Sequence, residues 1–308
     1  MEYVEQMRLK PGMSIGQLME QMGRTGVLGA GKLSKAVDII TEMFIDPNYT
    51  VFLALAGPMV PGGLRSVISS LVRNRYVDVL VTSGANIAHD IIEALGHKHL
   101  KGTFSANDRS LRAKKLGRIG DIYVKQDAFE ALEKAVYQML EGMRAQLSQG
   151  ASIRQILYEF GLRLNDPEAI LVNATEQNIP VFAPGLLDSM IGLHFWAFSQ
   201  LKKLQVDPLR DLHELADIVS TAKKTGAIIL GGGLPKHHVL GVNILRDGVD
   251  AAVQITLDRP EAGSFSGAPL EEAVSWRKAK TGERLATVIG DATIIFPLMV
   301  AAAFEKIH

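Results

Sequence analysis

The sequence predicts an α/β fold built on a single large, doubly wound, mostly parallel sheet with helices on both faces. Three observations predict it. Short apolar, β-branched runs alternate with segments of helical spacing, most of these runs are followed by glycine, proline or a small polar residue, and no composition break divides the 308 residues. With 47% hydrophobic residues the chain can bury a large core. Residues 1–308 therefore read as one domain, with residues 1–30 as an N-terminal helical segment.

In chain order, Ile15–Met22 has helical spacing. Gly26-Val27-Leu28-Gly29-Ala30-Gly31-Lys32-Leu33 nearly matches a phosphate-binding loop, but Leu33 stands where a magnesium-binding hydroxyl is required and no strand precedes it. It reads as a glycine-rich turn joining two helices. Leu33–Met43 is the next helix, Val51–Ala56 a strand, Leu64–Val72 a helix, Val77–Thr82 a strand and Ile87–Leu95 a helix. Ile122–Val124 follows as a strand, then helices at Ala128–Met143 and Ile153–Leu162, and strands at Ala169–Val172 and Ile179–Phe182. The last part reads as helix Leu212–Ala222, strands Ala227–Leu230, Ala252–Ile255 and Ala286–Ile289, and helix Ala292–Phe304.

In such a sheet, ligands collect where strands end and helix N-termini present unpaired N–H groups. The candidate loops are Gly57–Gly63, Ser83–Asn86, Gly231–Lys236 and Gly290–Asp291. Balanced charge, 33 Lys+Arg against 33 Asp+Glu, gives no overall field for nucleic acid or an anionic membrane. The absence of cysteine excludes disulfides and thiolate sites and fits a cytoplasmic protein. Met1 to Lys10 has no signal-peptide core, and the longest apolar stretch, Ile294–Phe304, is too short to span a bilayer.

Two segments near the C-terminus carry the chemistry. Gly231-Gly232-Gly233 follows a strand and precedes a helix beginning near Leu234, which suits a pyrophosphate and equally a tight turn. His237 and His238 are adjacent and diverge by about 100° on a helix, so they are poor joint ligands; no metal site is expected, and His237 is the candidate proton acceptor. Glu272 and Trp276, four apart, would share a helical face able to hold an aliphatic ammonium, or be part of an ordinary surface helix. Lys278 is an amine that could form an imine, but on a straight helix it diverges from Glu272. Either the helix ends near Trp276 or a neighbouring chain completes the site. Asp291 stands where a helix N-cap belongs, a role that leaves ribose contact open.

Gly231–His238, Ser266-Gly267-Ala268 through Lys278, and Asp291-Ala292 resemble the motifs of the deoxyhypusine synthase family, in its archaeal type. Weaker similarity runs through Thr25-Gly26, Val77–Thr82, Arg118-Ile119-Gly120 and Pro184–Asp188. The resemblance implies a Rossmann-like NAD-binding fold. It also implies NAD-dependent transfer of the aminobutyl group of spermidine, through an enzyme-lysine imine, to one lysine of translation initiation factor 5A. It makes Lys278 the imine-forming lysine, His237 the proton acceptor, and Glu272 and Trp276 the amine holders. Gly231, Gly232, Gly233, Ser83, Gly84, Asp188, Ser264, Ser266, Asp291 and Ala292 would line NAD, in a homotetramer with active sites between subunits.

The chain departs from the eukaryotic pattern at Ala88, His89, Leu193, Gly241, Phe265 and Arg277, several of them positions that are polar or acidic there. Those losses motivate one alternative, a homospermidine synthase-like aminobutyl transferase acting on a small amine. A second alternative is a non-catalytic NAD-binding module, against which the intact Lys278 argues.

Overall fold

The computed structural model describes residues 3–282 and 284–308; Met1, Glu2 and Glu283 lie outside the described residues. The fold is mixed α/β, with a six-stranded main sheet and a separate three-stranded one. The strands are β1 (Tyr49–Leu55), β2 (Val79–Thr82), β3 (Leu100–Lys101), β4 (Leu116–Ile119), β5 (Ile122–Lys125), β6 (Val181–Phe182), β7 (Lys224–Leu230), β8 (Ala251–Thr256) and β9 (Leu285–Ile289). The chain divides into two compact units. One holds residues 1–56, 76–81 and 214–308, the other residues 57–75 and 82–213.

In the first unit β1 pairs with β7, β7 with β8, and β8 with β9, all in parallel. Ala227–Leu230 of β7 and Phe52–Leu55 of β1 are completely buried. That is why these runs are apolar throughout rather than alternating: both faces of the strand meet protein. The helix Leu28–Ile45 packs closely enough that a Cβ at Gly226 of β7 would meet Met43 Sδ at 2.2 Å. The helix Ile15–Thr25 starts with a capping box, Ser14 and Gln17. Its first turn is tied to the C-terminal helix Ala292–Ile307, because Glu305 accepts from Ser14 Oγ (2.6 Å) and Gly16 N (2.8 Å).

Residues 3–14 contain no helix, and the first helix begins at Ile15. The glycine-rich stretch also differs from expectation. Gly26, left-handed at φ 67°, closes the first helix, whereas Gly29 and Gly31 lie inside the second; only Gly26 and Val27 form the joint.

The second unit supplies the larger corrections. Ala169–Val172, expected as a strand, belongs to the helix Ile170–Glu176. The reason is remote in sequence: buried Asp90 accepts from Ile170 N and Leu171 N, both at 3.0 Å, and so caps that helix from another element. Ile122–Val124 is a strand, but in the antiparallel sheet β3-β5-β4. The helix Met190–Ser199 is apolar on nearly all sides, with only His194 and Ser199 polar, so its spacing carries no helical signal.

Candidate active site

Parallel pairing brings the C-terminal ends of β7, β8 and β9 to one edge of the sheet, with Gly231 after β7 and Gly290-Asp291 after β9. Gly231 N donates to Ile255 O (2.7 Å), and Gly290 N to Thr256 O (2.9 Å). Asp291 caps its own helix, with Oδ1 accepting from Thr293 N and Thr293 Oγ1 at 2.8 Å each. Ala292, the first residue of that helix, is buried.

The glycine turn is shaped by what passes next to it. A Cβ on Gly232 would lie 2.5 Å from Ser266 Cα, so no other residue fits without moving the chain. Gly233, at φ 57°, opens the helix Gly233–Val242, and its N–H donates to Ser266 Oγ at 2.8 Å. The cap residue, Gly232, has no side chain to offer, so beyond the Gly233 N–H held by Ser266 the N-terminal end of this helix offers donors to an anion. Ser264 begins the adjoining turn, accepting from Gly267 N and Ala268 N.

Behind the turn lies Lys236, only 1% exposed. Its ammonium donates to Gln254 Oε1 (2.9 Å), Phe265 O (2.9 Å) and Ala268 O (2.7 Å). Gln254 in turn donates to Gly231 O (2.9 Å) and Ser266 O (2.8 Å). The pair fastens the 264–268 segment to the glycine turn. Burial holds the Lys236 ammonium down to a pKa of about 8, against the pull of Glu272 and with a push from Lys278. In the sequence this lysine is only one residue of the Gly231–His238 motif, and its three oxygen partners come together only in the fold.

The histidines separate as their helical positions require. His237 meets the Phe265 ring edge-on at 5.3 Å, while His238 is turned inward with Nε2 unpaired. Burial, then the neighbouring His237, lowers the His238 pKa.

Glu272–Ser275 is a single helical turn with Trp276 as its C-cap, so the helix ends near Trp276, one of the two alternatives that the spacing left open. Arg277 adopts φ 57°; its N–H bonds Val274 O at 3.0 Å, and Lys278 N bonds Ala273 O at 2.9 Å. This left-handed closure reverses the chain and resolves the divergence predicted for a straight helix. Arg277 Nε bonds Asp247 at 2.7 Å, across the turn. Lys278 Nζ then lies 5.6 Å from the Trp276 ring and 5.1 Å from the Phe265 ring.

A cavity of about 320 Å³ collects these groups: Lys236, His237, Ser264, Phe265, Glu272, Trp276 and Lys278 line it. It holds an amine nucleophile, an imidazole, a carboxylate and two aromatic faces, which suits covalent capture of an amine-bearing substrate. Trp276, 65% exposed, stands on its rim. Among the described residues no group of three or more His, Asp or Glu side chains is arranged to hold a metal ion.

Ser83, Gly84 and Asp188 belong to the other compact unit, where they form a neighbourhood of their own. Ser83 caps the helix Gly84–Ala94, and a Cβ on Gly84 would strike Ser189 Oγ at 2.5 Å, next to Asp188. In the same helix Ala88 is buried, and His89, pushed down to about 4 by burial and then by its neighbour, bonds His99 at 2.9 Å. Leu193, on the helix Met190–Ser199, is 51% exposed.

The family model for deoxyhypusine synthase matches residues 17–303. A protein of Methanothermobacter thermautotrophicus named probable deoxyhypusine synthase is 43% identical over 304 residues, covering 99% of this chain and 98% of the relative. One of the same name from Methanopyrus kandleri is 41% identical, covering 98% of each. The fold is also that of an Entamoeba histolytica protein described as a deoxyhypusine synthase, with a TM-score of 0.69 at 22% identity over 96% of this chain and 94% of the other.

Proposed function

The chain belongs to the deoxyhypusine synthase family, and from that premise we propose that it transfers the aminobutyl group of spermidine to a lysine of translation initiation factor 5A. The observation that carries this reading is Lys278 Nζ, held over two aromatic rings in the cavity that also receives His237 and Glu272.

NAD is the cofactor of this reading; when bound, it would supply a hydride acceptor for oxidation of the donor amine and the hydride for the final reduction. The helix N-terminus at Gly233, whose cap position is a glycine, and the three-glycine turn suit its pyrophosphate. Asp291, with Oδ1 spent on capping, keeps Oδ2 for a ribose hydroxyl. Ser264, Ser266 and Ala292 complete the assignment, and the family resemblance alone adds Ser83, Gly84 and Asp188.

Lys278 does the covalent work. As a neutral amine it adds to the oxidised carbon of the donor, the other half of the donor leaves as a diamine, and the aminobutyl group stays on Nζ as an imine. The acceptor lysine displaces Nζ in the same manner. His237 takes the proton that leaves the donor nitrogen as it is oxidised. Glu272 pairs with an ammonium of the donor, whose alkyl chain lies along Trp276. Water must be kept from the imine, so a homotetramer with subunits closing the Trp276 rim is part of the proposal. So is a cytoplasmic location: no helix among the described residues is long and apolar enough to cross a membrane. We read residues 1–308 as one family domain, supported by a family match that runs through both compact units.

Incubating the protein with NAD and labelled spermidine, with and without its own initiation factor 5A, tests the reading. An aminobutyl mass should appear on the factor and vanish with Lys278→Ala. One observation favours a second reading, transfer to a small amine: among the described residues Glu272 is the only carboxylate lining the cavity, and Phe265 stands where eukaryotic relatives carry an acid. New polyamines formed with putrescine, and none on the factor, would select it.

A further inference from the structure

The chain is neutral overall, yet its charge is segregated. Residues 98–125 carry eight lysines and arginines against two aspartates, in a protein whose 33 basic and 33 acidic residues cancel overall. The remainder is therefore net negative by the same six charges. All eight basic residues lie at exposed positions.

The local fold concentrates them. In the short helix Asp108–Ala113, Leu111 is buried while Arg109 and Arg112, three apart, share the outer face. Lys114 and Lys115 follow, with Lys115 in the left-handed region at φ 55°. The hairpin then returns Lys125 opposite Leu116, and Gln126 N bonds Lys115 O at 2.9 Å, which brings Lys125 beside the Lys114-Lys115 turn. Arg118 is committed to Asp108 through two 2.8 Å bonds, and Lys98 to Glu93. Arg109, Arg112, Lys114, Lys115 and Lys125 have no carboxylate partner among the described residues.

Like charges crowded without partners repel, and salt bridges with nearby acids would be the ordinary remedy. Here five cations converge on one end of a small sheet and point to solvent. We propose that this surface, centred on Arg112, Lys114 and Lys115, docks an acidic face of the protein acceptor. The inference rests on the transfer to a protein proposed above. The small-amine donor fits within the 320 Å³ cavity, whereas a folded acceptor must also be recognised outside it. A charged surface of this kind sets encounter rate and apparent affinity without touching chemistry.

The test compares the intact enzyme with the triple variant Arg112→Glu, Lys114→Glu, Lys115→Glu. Without acceptor, NADH formation from NAD and spermidine and the aminobutyl mass on Lys278 should be unchanged. With acceptor at low salt, KM for the factor should rise about tenfold at constant kcat, and the gap should close near 0.5 M salt. The milder pair Lys114→Gln, Lys115→Gln should show the same split at smaller size, and serves if the triple variant does not fold. An unchanged KM overturns the proposal, as does a rise that survives high salt. So does a shift in oligomeric state on sedimentation, which would make the surface a contact between copies, or RNA binding by the intact enzyme that the variant loses. Equilibrium titration with the factor reads docking directly, so an enzyme that binds it in this way but transfers nothing refutes the proposed activity and leaves the docking surface standing.

Discussion

Arg65 and Lys236 are both buried cations, one in each compact unit, and they are neutralised in opposite ways. Arg65 is surrounded by carboxylates: its guanidinium meets Asp90 at 2.7 Å and Asp166 at 2.8 Å, and Asp90 also caps a helix. Lys236 has three oxygen partners and no carboxylate among them. The first arrangement cancels its charge within the core and works as a structural joint. The second leaves a positive charge to be felt in the cavity where Lys278 and Glu272 stand. A buried cation with carboxylate partners fixes the fold; one with only dipoles for partners also acts on the site beside it.

The comparison can be broken most directly at Asp90. Asp90→Ala strands a buried guanidinium and uncaps Ile170 and Leu171, so urea unfolding should show a loss of about 3–5 kcal/mol. A loss below about 1 kcal/mol would mean that Asp166 alone suffices. Lys236→Met should cost less, about 1–3 kcal/mol, because three oxygens lose a donor while the desolvated charge disappears. On the proposed function its damage should show instead as weakened NAD binding in a fluorescence titration, since the loop that meets Gly233 is no longer fastened.

Titration sharpens the contrast. The native Lys236 pKa of about 8 lies below its ordinary 10.5, so between those values the unfolded chain holds a proton that the native protein has released. Wild-type stability relative to Lys236→Met should therefore rise with pH from 8 to 10.5 and lie at its low plateau below 8. A difference that stays flat across that window, in paired denaturant curves, would mean that the ammonium is not desolvated. The smallest effect concerns the turn that delivers Lys278: Arg277→Gly should stabilise by about 0.5–1 kcal/mol, because glycine adopts the left-handed position without strain and the exposed pair with Asp247 contributes little.

What was legible in the sequence followed from local rules. The apolar run of β7, the three glycines and the helix behind them announced themselves, and so did the cap at Asp291, since each depends on neighbours along the chain. Lys278 was legible as an amine beside an indole, but its direction was not, because that depends on Arg277 taking a left-handed conformation that its residue type does not advertise. The helix at Ile170 was misread as a strand for a complementary reason: its cap comes from Asp90, eighty residues earlier. Lys236 was legible only as the end of a candidate loop, because lysines are ordinarily solvated, and only the meeting of Gln254, Phe265 O and Ala268 O identifies its role.

The rim of the cavity gives the molecule an optical reporter. The chain has two tryptophans, Trp196 and Trp276, and both are largely exposed, at 60% and 65%. Their emission in a separated protomer should be red-shifted, as for indoles in water, and a Trp196→Phe variant would leave Trp276 as the sole emitter. Its spectrum would then move to the blue whenever another subunit or an alkyl amine covers the ring. Assembly and donor binding could thus be followed in real time, without a label, from the residue that stands next to Lys278.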